Sequence, residues 1–178
     1  KDFSSSDITK YSENYSLSEI VSKLLSIRKN KIDNIDLFLN PKIKNLLPNP
    51  YHLKDMDKAV KRTYEAIINK EVIGVFGDYD VDGATSTALL TKYFLLINQK
   101  INTHIPDRHK EGYGPSLFGF NKLIKSNVKV IFTVDCGTLS FDPIKYAQEK
   151  NIDVVVLDHH QSDINLPKAC AVVNPNRY

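Results

Sequence analysis

The sequence predicts an α/β fold, a doubly wound parallel sheet with helices on both faces, preceded by a short helical N-terminal region. Two observations predict it. From Glu71 onward, strand-sized apolar runs alternate with segments of helical periodicity. Strands that alternate with helices of about 10–15 residues imply right-handed crossovers and a parallel sheet. With 178 residues, 42% of them hydrophobic, the chain can bury a core without disulfides.

The first part of the chain, residues 1–70, is interpreted as a helical preface. Residues 1–16 are rich in Ser, Asn and charge, and we expect a loose arm there. Apolar side chains then recur at helical spacing in three segments, residues 17–27, 35–39 and 56–68. Three prolines separate the second segment from the third, which predicts an irregular connection between them.

The second part, residues 71–178, contains the predicted sheet. Its strands are predicted at Val72–Phe76, Ile101–Pro106, Val128–Val134, Asp153–Leu157 and Ala171–Val173. Its helices are predicted at Ala84–Ile97, Ser116–Lys125 and Phe141–Lys150. A polar, glycine-bearing loop follows each of the first three strands.

Composition and charge exclude several classes of protein. No stretch approaches the ~20 consecutive apolar residues of a membrane span, and the first residues do not form a secretory signal. Cys136 and Cys170 are too few for a disulfide scaffold, so we expect a reducing, cytoplasmic compartment. The net charge of +3 is too small to indicate a nucleic-acid binder by itself. The first residue is Lys rather than Met, which suggests a piece of a larger protein.

Unusual polar residues follow four of the predicted strands, at the edge where open α/β sheets bind ligands. An Asp after a strand is often only the cap of the next helix. Four strand ends that converge on one edge are stronger evidence than a single Asp, and they indicate a functional site. The residues concerned are Asp78, Asp80 and Asp82; Arg108, Gly112 and Gly114; Asp135; and Asp158, His159 and His160.

The three carboxylates after the first strand repel one another unless a cation is present. Asp78, Asp80 and Asp82 match the start of an EF-hand calcium loop, but Leu89 stands where that loop needs a Glu. The cluster also follows a strand and not a helix, so calcium is rejected. The segment Asp80–Ala84 resembles the nucleophile loop of haloacid-dehalogenase-like phosphatases as well, although a Thr normally stands in place of Ala84. That phosphatase is kept as an alternative.

The segment Asp158-His159-His160 favours a metal-dependent hydrolase. Successive residues of an extended strand face opposite sides, so the two histidines should have different roles unless the strand bends first. Imidazole together with carboxylates suits Mn²⁺ or Mg²⁺ better than a thiolate metal. Two ions ~3.5–4 Å apart are feasible here, the arrangement that stabilises attacking and leaving oxygens in phosphoester cleavage.

At this point the residues resemble a known family. They are similar to the motifs of the DHH phosphoesterase superfamily, and within it to the single-stranded-DNA-specific exonucleases of the RecJ type. The similarity runs from about Leu24 to the end of the chain. The similar segments are Phe38–Pro41, Leu46–Pro48, Phe76–Ser86, Pro106–Gly114, Thr133–Thr138, Asp158–His160 and Val173–Asn176.

The resemblance implies roles for particular residues. Metal ligation would fall to Asp80, Asp82, Asp135 and His159. Manganese pyrophosphatases of the superfamily carry a His at the position of Phe76, so one metal site is expected to be weaker here.

The resemblance also implies how catalysis and substrate binding are divided. Asp82, Asp135 and His160 would be catalytic, with His160 engaging the scissile phosphate. Asp78 would be a further ligand, or it would contact the ligands without contacting the metal. Phosphates of the strand would be bound by Arg108, Gly112 and Gly114, since a planar guanidinium fits phosphate oxygens well.

The implied activity is a 5′→3′ exonuclease on single-stranded DNA in recombination and repair, with two Mn²⁺ or Mg²⁺ ions in the complete protein. A single-strand-binding protein and a helicase are the expected partners, and no membrane is involved. A non-catalytic DHH scaffold of DNA replication and an enzyme on nanoRNA or small nucleotides stay open as alternatives. Related domains continue to another ligating Asp, a second domain and an oligonucleotide-binding fold. We therefore expect residues 71–178 to be an incomplete domain. The chain of residues 1–178 is expected to fold and to bind metal weakly but to have little activity.

Overall fold

A computed structural model describes residues 4–28 and 32–177. The chain divides into two compact units, Lys1–Pro48 and Asn49–Tyr178. This division differs from the predicted boundary at 70/71. The physical reason is that the helix ending at Ile68 packs against the sheet, where its Ala59 and Ala66 are buried in the core.

The first unit is helical. Its helices are α1 (Ser5–Tyr15), α2 (Glu19–Arg28), α3 (Ile35–Leu39) and α4 (Ile43–Leu46). The expectation of a loose arm over residues 1–16 is wrong for residues 5–15, and residues 1–3 lie outside the described part. Helix α1 forms because Tyr11 finds a buried position beside α2, which buries Leu25. Ser16, in the left-handed conformation, ends it.

The second unit is a five-stranded parallel sheet with helices. Its helices are α5 (Met56–Ile68), α6 (Val81–Leu96), α7 (Leu117–Lys125) and α8 (Phe141–Glu149), after a 3-10 turn at Pro50–His52. Its strands are β1 (Ile73–Gly77), β2 (Ile101–His104), β3 (Val130–Val134), β4 (Asp153–Leu157) and β5 (Ala171–Val173). The order is β2-β1-β3-β4-β5, so the winding reverses between β1 and β3. Ligands bind at such a reversal, beyond the carboxyl ends of the strands.

Two buried clusters cover the two faces of the sheet, which confirms the predicted fold class. On one face, Val75 of β1 joins a cluster with residues of α5 and α6. On the other, Phe76 joins a cluster with residues of α7 and α8. The strands read as continuous apolar runs because both faces are buried. Within the described parts of the chain, none of the helices combines the length and hydrophobicity that a bilayer crossing demands.

The helices of the sheet unit end in a recurrent way. A residue in the left-handed conformation stands two positions after the last residue of each of α5 to α8: Lys70, Asn98, Asn127 and Asn151, with φ between 53° and 61°. Asn tolerates this conformation better than most residues with a side chain, whereas Lys does not. The turn directs the chain back to the edge of the sheet from which the next strand starts.

The outer edge of β5 is covered by side chains. The Asp55 carboxylate accepts a hydrogen bond from the N–H of Val172 at 3.3 Å. Arg177 donates to the carbonyl of Val172 and to Asp55, the latter at 2.5 Å. Both backbone groups of Val172, in the strand at one end of the sheet, are therefore bound within the unit.

Candidate metal centre

The carboxylates after β1 occupy three different environments. Asp78 is only 1% exposed, and neither of its carboxylate oxygens has a hydrogen-bond partner among the described residues. Asp80 caps α6, its Oδ1 accepting from the N–H of Gly83 at 2.9 Å. Gly83 is required because a Cβ there would lie 2.4 Å from the backbone oxygen of Asp78. Asp82 lies in the first turn of α6 and is exposed.

The end of β3 brings Asp135 to the same place. Its backbone has φ of +61°, and the side chain is buried. Oδ1 lies 2.9 Å from Nε2 of His159, which extends from the end of β4. Oδ2 is buried without a hydrogen-bond partner in the described chain.

The two histidines after β4 lie side by side. The strand ends at Leu157, and the ring centroids of His159 and His160 are 4.7 Å apart. The chain therefore bends after β4, and this bend allows both rings to lie on the same side although successive residues of a strand face opposite sides. Asp158 holds it, because its Oδ1 accepts from the backbone N–H of His159 at 2.8 Å and of His160 at 3.2 Å.

Asp158 is buried, and it also orients the second ring. Its Oδ1 lies 2.8 Å from Nδ1 of His160, and its Oδ2 accepts from the N–H of Thr138 at 3.0 Å. Burial alone would raise the pKa of Asp158, but the hydrogen bonds from Thr138 and His160 outweigh it and lower the pKa. The hydrogen bond to Asp158 in turn raises the pKa of His160. The pair therefore favours a carboxylate beside a protonated imidazole.

Asp80 and Asp135 differ in their electrostatics. The N–H of Gly83 lowers the pKa of Asp80. Burial first, and then the neighbouring charge of Asp80, raise the pKa of Asp135. Two adjacent carboxylates that repel each other, one of them with a buried free oxygen, favour a bound cation.

Two groups of side chains place their ligand atoms within 4.8 Å of one another. One is Asp78, Asp80 and Asp135, and the other is Asp135, His159 and His160. Because Asp135 belongs to both, the groups form one continuous centre. Asp82 belongs to neither, but it lines a cavity of about 380 Å³ next to the centre together with Asp135 and His159.

The donors present fit a hard divalent cation. They are carboxylate oxygens and imidazole nitrogens, which suit Mn²⁺ or Mg²⁺. The orphaned buried oxygens of Asp78 and Asp135 are the observation that favours this fit, since a buried carboxylate without a partner is costly. Cys136 does not contribute, because its Sγ lies against the carbonyl of Val134 at 3.4 Å and burial raises the pKa of the thiol well above its ordinary value.

The loop after β2 is joined to the centre by aromatic rings. The guanidinium carbon of Arg108 lies 5.3 Å from the ring centroid of Tyr79, which makes an edge contact with Tyr113. The hydroxyl of Tyr113 lies 3.2 Å from Nε2 of His160. Gly112 and Gly114 have φ of +80° and +72°, the region that favours glycine.

Sequence reasoning missed the contact that holds this loop. Oε2 of Glu111 lies 2.9 Å from Nε2 of His104 and accepts from the hydroxyl of Ser116 at 2.8 Å. His104 and Glu111 are both buried, although His104 has no apparent partner in the sequence. The contacts of Tyr79 and Tyr113 were also missed. The sequence contained an indication of them, because each tyrosine lies among the polar residues of a loop that follows a strand.

The side chain of Phe76 belongs to the apolar core. It is fully buried and packs against Phe120, with ring centroids 5.7 Å apart, and against His104 at 5.3 Å. The position that carries a His in manganese pyrophosphatases is thus part of the apolar core in this chain. The expectation of one weaker metal site stays a prediction.

Comparisons with known proteins give a matching family and several similar relatives. The family described as "DHH family, N-terminal domain" matches residues 72–178. The RecJ single-stranded-DNA-specific exonuclease of Bacillus subtilis is 34% identical over 166 residues, covering 93% of this chain and 21% of the relative. That of Haemophilus influenzae is 38% identical over 139 residues, covering 78% and 24%. The chain thus spans about a fifth to a quarter of the curated relatives it matches.

Two solved structures are similar. An exonuclease RecJ bound to manganese has a TM-score of 0.64 and 31% identity, covering 69% of this chain and 31% of its own. RecJ from Thermus thermophilus in complex with Mn²⁺ has a TM-score of 0.72 and 21% identity, covering 96% and 23%. The second likeness shows the fold.

Proposed function

Because the chain belongs to the DHH family, we propose that it carries the metal centre of an exonuclease that hydrolyses phosphodiester bonds of single-stranded DNA. The observation that carries the proposal is the pair of ligand groups joined at Asp135. The names of the relatives supply the substrate, and the manganese-bound structure supports the choice of ion.

We propose that Asp78, Asp80, Asp135 and His159 hold Mn²⁺, with Mg²⁺ as the other candidate. Two ions are the proposed number, one beside Asp78 and Asp80 and the other beside His159, with Asp135 between them. His160 would lie next to the second ion without ligating it. Such an ion polarises phosphate oxygens and lowers the pKa of bound water. Asp82 is proposed as a further ligand that approaches from the adjacent cavity.

His160 is the proposed catalytic residue that contacts phosphate. An ionised carboxylate only accepts hydrogen bonds, so Asp158 holds a proton at Nδ1 of His160. The raised pKa of His160 favours a second proton at Nε2. That N–H can donate to a phosphate oxygen and stabilise the charge that develops on it, and Asp158 keeps the ring in the required orientation.

The DNA strand is proposed to approach along Arg108, Tyr79 and Tyr113. These three side chains form a continuous path of contacts that ends at His160. A guanidinium neutralises phosphate, and an aromatic ring stacks with any base, so the path binds single strands without a preference for sequence. A cytoplasmic location, and a single-strand-binding protein and a helicase as partners, are proposed with this function.

The proposal is tested by metal binding and by cleavage. Mn²⁺ binding is measured by calorimetry on the purified chain and on its Asp135→Asn variant, with Glu149→Gln, an exposed acid in the last turn of α8, as the control. We expect binding by the parent and the control only. Cleavage of a 5′-labelled single strand is measured in a longer protein that carries this region. Cleavage that survives Asp135→Asn, or metal binding without any cleavage, would overturn the proposed function; the second result would favour the non-catalytic scaffold.

A further inference from the structure

The bend after β4 decides whether the two histidines can act together. In a continuing strand their rings would point to opposite faces of the sheet. They lie instead with ring centroids 4.7 Å apart. Asp158 binds the N–H groups of the bend, but those bonds leave the two histidine carbonyls to be held by other residues.

The segment after β5 binds both carbonyls. Nδ2 of Asn174 donates to the carbonyl of His160 at 3.0 Å. The side-chain amide of Asn176 donates to the carbonyl of His159. Asn174 is 2% exposed, so it is a buried polar side chain and not a solvated loop residue.

The amide of Asn174 uses every donor it has. Its other Nδ2 hydrogen goes to Oγ1 of Thr138 at 2.8 Å, and its Oδ1 accepts from the N–H of Asn176 at 2.7 Å. Thr138 is itself buried, and its N–H donates to Asp158. Since Asp158 binds Nδ1 of His160, the hydrogen bonds form a closed ring from Asn174 through Thr138 and Asp158 to His160 and back.

We infer that Asn174 is a positioning residue, which holds His159 and His160 side by side at the metal centre by fixing the backbone that carries them. The inference rests on the proposed function only for what the histidines do there. The bend and the ring of hydrogen bonds are independent of it. Residues that form hydrogen bonds with metal ligands, without contacting the metal, fix the orientation of the ligands and affect metal affinity.

An amide is required at this position because it offers two donors in one plane. Aspartate has the same shape but no donor, so Asn174→Asp would put a carboxylate oxygen against the carbonyl of His160. The variant also adds a negative charge near the centre, which by electrostatics alone would strengthen Mn²⁺ binding. A loss of affinity in this variant therefore reports lost positioning.

The test compares Asn174→Asp with Asn121→Asp in the 178-residue chain. Asn121 lies on α7, where its side chain accepts a hydrogen bond from the hydroxyl of Tyr146 at 3.4 Å. The first measurement is the nitrogen-15 and proton signals of the histidine rings without metal, with His52 and His104 as internal references. We expect the signals of His159 and His160 to shift in Asn174→Asp, and also in Thr138→Val, which adds no charge, and to stay in place in Asn121→Asp. Unmoved ring signals would overturn the inference.

The second measurement is Mn²⁺ affinity by calorimetry. We expect a loss of about tenfold in Asn174→Asp and no change in the control. Thr138→Val is measured as well, and it serves alone if Asn174→Asp does not fold. It keeps the N–H to Asp158 and the shape but removes the acceptor of Asn174, and smaller shifts in the same direction are expected. Unchanged or stronger Mn²⁺ binding in both variants contradicts the inference. A parent chain that binds no Mn²⁺ contradicts the proposed function instead, and the metal-free ring signals still decide the role of Asn174.

Discussion

Nε2 of His159 lies 2.9 Å from Oδ1 of Asp135, across the gap between the ends of β4 and β3. The two strands are neighbours with Val134 opposite Leu157, so the register places Asp135 opposite Asp158. The bend after β4 then brings His159, the next residue, to Asp135. The histidine is the partner of one oxygen of Asp135, and the other oxygen has no hydrogen-bond partner in the described chain.

Asp78→Asn is expected to stabilise the metal-free chain. The carboxylate of Asp78 is buried without a hydrogen-bond partner in the described chain, and a neutral amide costs less to bury. We expect the free energy of unfolding in urea with EDTA to rise by about 1–3 kcal/mol. The stabilisation that saturating Mn²⁺ gives to the parent should be smaller in the variant. A variant that is less stable than the parent in EDTA would show that Asp78 has a partner other than a cation.

Arg108→Ala is expected to weaken single-stranded DNA binding without a change in Mn²⁺ affinity. Arg108 cannot ligate a cation but can neutralise a phosphate, so the slope of log affinity against log salt should fall by about one. Fluorescence anisotropy at several salt concentrations measures this, in a longer protein that carries the region. Lys110→Ala is the matched control from the same loop, because Lys110 is exposed and its described contact is an ion pair with Asp107 at 3.5 Å. Equal slopes for the two variants would remove Arg108 from the proposed path.

Lys70→Gly is expected to stabilise the fold. Lys70 has φ of +53° at the end of α5, a conformation that costs an L-residue about 1 kcal/mol or more and costs glycine nothing. The free energy of unfolding should rise by up to about 1 kcal/mol. Asn98→Gly, at the equivalent position after α6, should gain less because Asn tolerates this conformation. Chemical denaturation of both variants checks the order. A loss of stability in Lys70→Gly would show that its side chain contributes more than the strain costs.

Acid unfolding should depend on Asp55. Burial raises its pKa, but the hydrogen bonds from Lys58 and Arg177 outweigh this, and the net pKa lies below its ordinary value of 3.8. A depressed pKa in the folded state means that the stabilisation is complete above pH 3.8 and is lost as the pH falls through the folded value. Asp55→Asn should therefore lower stability near neutral pH and flatten its decline below about pH 4. Urea titrations from strongly acidic to neutral pH measure both effects, and parallel curves for parent and variant would contradict the assignment.

The strand ends could be predicted because periodicity identifies buried strands, and parallel strands bring their carboxyl ends to one edge. That rule alone places Asp80, Asp135 and His159 together, as the structure does. The roles of these residues remain proposals. Asp82 could not be placed from spacing, because its direction depends on where α6 begins. The helix begins at Val81, three residues earlier than the predicted Ala84, so Asp82 lies on its first turn.

Contacts between distant side chains could not be predicted. His104 and Glu111 meet because the loop after β2 folds back on its strand, and nothing in their spacing indicates it. Helix α5 was assigned to the preface for a similar reason. Its sequence is that of an amphipathic helix, and only the sheet decides that Ala59 and Ala66 face it.

The side chains on the edge of β5 also bear on aggregation. A strand at the end of a sheet presents free backbone groups that can template the addition of a strand from another molecule. At Val172 those groups are already bound by Asp55 and Arg177. A strand from another molecule can pair with β5 at Val172 only after these contacts of Asp55 and Arg177 break. The two side chains therefore oppose intermolecular strand pairing at neutral pH. Protonation of Asp55 in acid removes the charge that binds Arg177, so we expect the edge of β5 to become more open to strand addition as the pH falls.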